Sequence, residues 1–176
     1  MNVATGLKDW IAQFCDRIEI AGSLRRKRDF VSDIEILYIP KIGSRMKDLL
    51  ATELYSIVDP ELEKLIKNNI LAKRPNKNGI LAWGEKNKLG VHVASGIPVD
   101  FFSTTEACWW NSLVCRTGGK ENNLTITKRA IARGYSFEAY GSGFKSLRSF
   151  EHHQTTSEKD VFDFIGLPYL EPEKRQ

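Results

Sequence analysis

Cysteine is scarce in this sequence: Cys15, Cys108 and Cys115 are the only three in 176 residues. They form no CxxC pair and have no histidines at zinc-ligand spacing, which argues against a disulfide framework or a zinc site and fits a reducing cytosol. Long apolar runs are missing as well. Nothing approaches the roughly 20 residues that span a bilayer, and the N-terminus carries a helix pattern where a secretory leader would place a basic segment before an apolar one. A soluble, unsecreted protein is expected. A strong excess of one charge is also absent, since the formal balance is only +4. The local basic runs Arg25-Arg26-Lys27-Arg28, Lys73-Arg74 and Lys86 with Lys88 would suit a polyanion, but taken alone they are more often a solvated charged surface. His92, His152 and His153 lack partners at ligand spacing, so none is read as catalytic. Internal repeats and low-complexity tracts are absent.

The hydrophobic content, 41%, is that of an ordinary globular protein and suffices for one core or two small lobes. Leu7, Trp10, Ile11, Phe14 and Ile18 recur at helical spacing after Thr5, an N-cap residue type, so a helix is predicted over 5–16. A short β-prone run over 18–21 ends at Gly22-Ser23, and a basic connection leads to a strand over 33–39 closed by Pro40. Two helices are predicted over 46–56 and 60–68, the second opening on Pro60. Strand-like pieces return at 70–73, 80–83, 91–94 and 98–102, separated by Gly, Asn and Lys clusters that suggest hairpins of a mixed sheet. After Thr104 the composition shifts to helices over 105–115, 120–133 and 157–165, with a β-prone stretch over 135–139 and a glycine turn over 141–143. Trp109 and Trp110 fall in an apolar helix pattern and read as packing residues. The boundary near 104 divides the chain into domains 1–104 and 105–176.

In the strand over 33–39, Asp33 and Glu35 point to the same face because side chains alternate with period two. Two carboxylates so close repel, and an oxygen-rich pair of this kind suits a hard cation, magnesium or manganese. Asp100 is the lone acid in the apolar segment Ile97-Pro98-Val99-Asp100-Phe101-Phe102, and a neighbouring strand would bring it beside the other two. Three such acids would hold two ions about 3.5–4 Å apart, the arrangement that drives in-line phosphoryl transfer. Taken alone, a DxE pair with a distant aspartate is more often an exposed strand face. The upstream segment changes that. Gly22-Ser23-Leu24-Arg25-Arg26 ends a strand, its glycine lets a polyanion approach the backbone, Ser23 donates to phosphate, and Arg26 adds a forked donor.

GSLRR followed by SDIE resembles the GS…DxD signature of the polymerase beta nucleotidyltransferase superfamily, and the arginine pair is similar to DNA polymerase X family members. The resemblance implies an α+β fold, a nucleotidyltransferase palm with a mixed sheet followed by a small, mostly helical thumb. By the same resemblance Gly22, Ser23 and Arg26 hold the triphosphate, while Asp33, Glu35 and Asp100 ligate two Mg2+ (or Mn2+) ions. The family usually has aspartate where this chain has Glu35, and the extra methylene carries the carboxylate outward by about one C–C bond, ~1.5 Å.

Thr117-Gly118-Gly119-Lys120-Glu121-Asn122-Asn123 looks like the family's segment at the start of the thumb, and Ser157 to Ile165 with Leu167 to Arg175 is similar to the closing helix and tail of polymerase beta-like thumbs. On those positions Gly118 and Gly119 lie near the sugar of the incoming nucleotide and Asn123 meets its base. Cys115-Arg116 stands where many members have an aromatic pair beside the sugar's 2′ side, and Thr127 where a thumb arginine often touches the template. The resemblance implies a DNA-directed DNA polymerase that adds dNTPs to a primer 3′-OH on primer-template or gapped DNA, serving short-gap repair. A cytoplasmic monomer without membrane contact is expected, or a viral protein acting in a host cytoplasm. Untemplated nucleotidyl transfer to RNA ends or a small acceptor, and a catalytically weak DNA-binding accessory, are the competing readings.

Overall fold

The computed structural model describes residues 2–46 and 51–176. The chain forms two compact units, one made of Met1–Ile20 with Ser32–Ser103, the other of Ala21–Val31 with Thr104–Gln176.

The first unit is built on a five-stranded mixed sheet. Helix α1 (Val3–Ala12) precedes strand β1 (Cys15–Ile20), and the chain returns from the second unit into β2 (Ile34–Pro40). A separate antiparallel hairpin follows, β3 (Ile42–Met46) with β4 (Thr52–Ser56), and then helix α3 (Val58–Lys67) and strands β5 (Leu71–Lys73), β6 (Asn87–His92) and β7 (Ile97–Ser103). The label α2 belongs to the short helix Gly22–Arg25, which lies in the other unit. Sheet order is β1-β2-β7-β6-β5, with β2 and β7 parallel and the other pairs antiparallel. Strand β2 pairs on both sides, so Ile34, Ile36, Leu37, Tyr38 and Ile39 are all buried. A central strand with both faces covered reads as a continuous apolar run rather than an alternation. Its exception, Glu35, is half-buried.

Several predicted elements shift. The first helix starts earlier than expected: its N-cap is Asn2, whose side chain accepts from the Ala4 N–H at 3.0 Å, and Thr5 lies inside the helix. The helix predicted over 46–56 is a correction, because Met46 closes β3 and residues 52–56 form β4; positions 47–50 lie outside the described residues. Pro60 is the third residue of α3, not the first. Residues 80–83 form no strand, and their β pairing takes the form of isolated bridges, Pro75 with Leu81 and Trp83 with Lys88.

The second unit holds helices α4 (Trp109–Thr117), α5 (Lys120–Ala132) and α6 (Glu158–Phe164), together with a three-stranded antiparallel sheet in the order β10-β9-β8. These strands are β8 (Tyr135–Phe137), β9 (Gly143–Ser146) and β10 (His152–Gln154), a small sheet in a unit that is mostly helical. Val114, Ile126, Ala130, Phe137, Phe144, Val161, Phe162 and Ile165 make its core. His153 stacks on Phe164 with centroids 4.1 Å apart while its Nε2 meets the Asp160 carboxylate at 2.9 Å. Trp109 is buried, as its packing pattern implies. Ser157 caps α6 by accepting from the Asp160 N–H at 3.0 Å, a contact of the kind worth about 1 kcal/mol. No helix among the described residues is long and apolar enough to cross a membrane.

Candidate active site

In the first unit, the parallel pairing of β2 with β7 sets Glu35 directly opposite Asp100. Paired residues on adjacent strands project to the same face, so two carboxylates stand side by side there. Asp33 sits immediately ahead of β2, with the Ser32 hydroxyl donating to its Oδ1 at 3.1 Å. Asp100 is buried, and its Oδ1 accepts from Nη2 of Arg74 at 2.6 Å. Arg74 stands one residue beyond β5, and its Nε donates to the Gly90 carbonyl of β6 at 3.1 Å.

The donor set tests the implied cofactor. Glu35 and Asp100 offer hard carboxylate oxygens from neighbouring strands, which fits a magnesium- or manganese-like ion. Among the described residues, however, no group of three or more His, Cys, Asp or Glu side chains is drawn together as a metal site. The pair fits one hard ion in donor type and register, while Asp33 is not gathered with it into a three-carboxylate cluster.

The second unit gathers the residues assigned to the nucleotide. Gly22 takes φ +62°, in the left-handed region that favours glycine, and the carbonyls of Ala21 and Gly22 accept from the N–H groups of Arg25 and Arg26 at 3.2 Å. The tight turn leaves the Ser23 hydroxyl oxygen buried and with no hydrogen-bond partner among the described residues. Arg25 and Arg26 both reach Thr117: Nη1 of Arg25 donates to Oγ1 and Nη1 of Arg26 to the carbonyl, each at 2.6 Å. This ties the Gly22–Arg26 segment to the Thr117-Gly118-Gly119 turn. A side chain at Gly118 would run into the amides of Asn122 and Asn123, and one at Gly119 into the backbone of Gln176. Asn123 itself donates from Nδ2 to the Cys115 carbonyl at 2.8 Å.

Arg25 is the residue the sequence reading misplaces. Read as solvated or phosphate-facing, it instead forks onto Glu158, Nη1 to Oε1 at 2.8 Å and Nη2 to Oε2 at 2.7 Å. Arg175, with 0% exposure, adds a third bond to Oε1 at 2.6 Å, donates from Nε to the Leu170 carbonyl at 2.9 Å, and lies against the rings of Phe162 and Tyr169. Burial alone would push the Glu158 carboxyl up, but the bonds from Arg25 and Arg175 outweigh it and hold the group below the usual carboxylate range. Lys88, counted among the surface basic residues, is likewise buried, its Nζ 3.0 Å from the Asp59 carboxylate and 2.9 Å from the Gly84 carbonyl. Arg28 is exposed. Arg74, Glu158 and Arg175 carry no local motif; each is recognisable only by the buried charge it meets.

Known proteins bear on this arrangement. Residues 112–176 match the family described as DNA polymerase beta thumb. Over 179 aligned residues the chain is 26% identical to the DNA polymerase/3'-5' exonuclease PolX of Bacillus subtilis (strain 168), an alignment that covers 100% of this chain and 27% of that protein. The chain therefore spans about a quarter of the length of this curated relative. Among solved structures, the ternary P/T complex of Leishmania infantum polymerase beta superposes with a TM-score of 0.72 at 22% identity, covering 98% of this chain and 73% of that one. The ternary gap complex of the same polymerase gives 0.71 at 19% identity, covering 98% and 67%. At these identities the structural likeness speaks for the fold, while the thumb match and the bacterial relative speak for ancestry. By the thumb match and the bacterial relative, the chain resembles the DNA polymerase X family.

Proposed function

We propose that the chain is a DNA-directed DNA polymerase, adding dNTPs to a primer 3′-OH with release of pyrophosphate. The observation that carries this reading is the register of β2 with β7, which sets Glu35 and Asp100 side by side on one face of the sheet. Glu35 and Asp100 are proposed to hold Mg2+ or Mn2+, and a second ion would require Asp33, just ahead of β2, to move in beside them. When bound, such ions supply Lewis-acid activation of the attacking hydroxyl and neutralise charge on the leaving pyrophosphate. We assign residues 1–104 as the palm and 105–176 as the thumb, with the Ala21–Val31 segment clustering with the latter.

The protein's own groups do the holding. Ser23 Oγ, buried and unpartnered among the described residues, is a hydroxyl donor waiting for an acceptor, and a phosphate oxygen meets that need. Gly22 keeps the backbone there open to close approach. Arg26 donates from Nη1 to the Thr117 carbonyl at 2.6 Å, and its forked guanidinium is assigned to the triphosphate. Gly118 and Gly119 are assigned to the sugar and Asn123 to the base edge. Asn123 Nδ2 carries a second N–H beyond the one given to the Cys115 carbonyl, while its Oδ1 accepts from Asn122 Nδ2 at 3.3 Å.

DNA as partner is supported by the thumb match and by the relatives, solved with primer-template and with gapped DNA. Short-gap synthesis is the proposed task. The competing reading, untemplated transfer, draws on the 2′ side of the sugar. Cys115 packs against the thumb core and the Arg116 guanidinium lies over the Tyr140 ring, with Nη2 donating to its hydroxyl at 3.2 Å. Magnesium-dependent primer extension on gapped, recessed and single-stranded DNA separates the readings. Extension that copies the template base supports the proposal. Template-independent addition to single strands, or inactivity on every substrate with the fold intact, refutes it.

A further inference from the structure

Arg74 meets Asp100 across an intervening strand, and the sheet fixes how it does so. β5 pairs with β6 at Lys73 and Gly90, and the Arg74 backbone N–H donates to the Leu89 carbonyl at 3.0 Å. β6 in turn pairs with β7 so that Leu89 faces Asp100. The two registers set the root of Arg74 on the far side of β6 from Asp100. The side chain then crosses β6, bonds the Gly90 carbonyl through Nε, and delivers Nη2 to Oδ1 of Asp100 at 2.6 Å. With its Nε anchored, the planar guanidinium cannot swing away without losing a second hydrogen bond. The Asp100 side chain is 12% exposed and the Arg74 side chain 29%. A carboxylate so far removed from water needs a cation nearby, and Arg74 supplies one from within the fold.

We infer that Arg74 is the resident counter-cation of Asp100 and competes with divalent ions for that carboxylate. The inference rests on the reading of Asp100 as a metal ligand. An ion approaching the Glu35–Asp100 pair meets a carboxylate already engaged by a positive charge on Oδ1. It must share Asp100 with that charge or displace it, and either course weakens binding through repulsion at short range in a partly desolvated place. Arg74 therefore acts through Asp100, as a positioning residue that sets how tightly the bare ion is held.

The test is Mn2+ binding to the full chain, followed by the electron paramagnetic resonance signal of the free ion, for the wild type, Arg74→Gln, Arg74→Lys and Asp100→Asn. Removing the positive charge should tighten Mn2+ binding by about tenfold in Arg74→Gln. Arg74→Lys, which keeps the charge, should stay within about twofold of the wild type. Damage to the fold would loosen binding, so tightening is not a structural side effect. Should Arg74→Gln fail to give a folded far-UV spectrum, Arg74→Met removes the same charge while keeping an apolar stem. Asp100→Asn should abolish the Mn2+ site in both the wild-type and the Arg74→Gln backgrounds. If Asp100→Asn abolishes it but Arg74→Gln binds no more tightly than the wild type, the counter-cation role is overturned and the metal reading stands. If Asp100→Asn leaves Mn2+ binding unchanged, the metal reading of Asp100 fails and the inference falls with it.

Discussion

Replacing Glu158 by glutamine should destabilise the second unit more than any change at an exposed acid. The carboxylate receives three charge-assisted bonds of 2.6–2.8 Å, two from Arg25 and one from Arg175. Glutamine keeps the shape but removes the charge, and it turns an NH2 group toward donors that cannot accept from it. Two guanidinium groups are then left in a buried place, one of them with no exposure. Breaking a buried pair by removing one partner costs about 3–5 kcal/mol, and the partial exposure of Arg25, 20%, argues for the lower end, about 3 kcal/mol. For a unit of this size that corresponds to a drop in Tm on the order of 10–20 °C. Urea unfolding followed by circular dichroism measures the loss, and Arg25→Ala with the double variant measures the coupling. Acid should act on the same bonds. The folded Glu158 carboxyl lies below its usual value, so its contribution is complete above the unfolded carboxylate pKa and disappears as pH falls through the lower folded value. The stability gap between wild type and Glu158→Gln should accordingly narrow on acidification below about pH 4.3. A variant within about 1 kcal/mol of wild type at neutral pH, or a gap unchanged down to strong acid, would refute the reasoning.

Four further outcomes follow from the site. Asp100→Asn should lower kcat for primer extension by several powers of ten with the fold intact, and near-normal extension would remove Asp100 from the site. Arg26→Ala should raise the apparent nucleotide constant more than it changes DNA affinity, a split that steady-state kinetics and a DNA-binding titration read separately. With Glu35 in place of aspartate, Mn2+ should support synthesis at least as well as Mg2+, and Glu35→Asp should narrow the difference; a clear Mg2+ preference in the wild type would count against this. The thiols of Cys15 and Cys115 are pushed up to about 12, chiefly by burial, so at pH 8 a thiol-alkylating probe should label Cys108 well before either of them.

How much of the fold was legible depends on whether a pattern coincided with burial. The strand over 33–39 was readable because an apolar run bounded by an acid and a proline has one compact solution, and the structure gives Ile34–Pro40. The closing helix, predicted over 157–165, stands at Glu158–Phe164 with Ser157 as its N-cap. The β3–β4 hairpin was not readable. Met46, Leu49, Leu50 and Leu54 recur at helical spacing, yet Met46 is 76% and Leu54 71% exposed, so the apolar period there does not report a buried helix face. The small strands β9 and β10 were missed for a related reason. Their pairing, His152 with Lys145 and Gln154 with Gly143, is set by tertiary context and not by β-branched residues at alternating positions.

The site divides in the same way, between what local spacing dictates and what pairing over distance decides. The Gly-Ser turn was legible by its backbone demand, whereas Asp33 lies ahead of β2, outside the alternation expected to pair it with Glu35. The partners of the charges were not legible, because Asp100 and Arg74 are 26 positions apart and Arg25 and Glu158 are 133 apart. Adjacent arginines in one basic run therefore look interchangeable in sequence and are not so in the molecule. Arg25 spends its fork on Glu158 and Thr117, and Arg26 reaches the Thr117 carbonyl, so the run that suggested a polyanion contact is first of all a clamp between the Gly-Ser segment and the glycine turn. A clamp of that kind holds Gly22, Ser23, Gly118 and Gly119 within one compact unit. Loosening it should disturb stability and nucleotide handling together, whereas the carboxylates of the β2–β7 pair, anchored in the other unit, should lose chemistry without losing the fold.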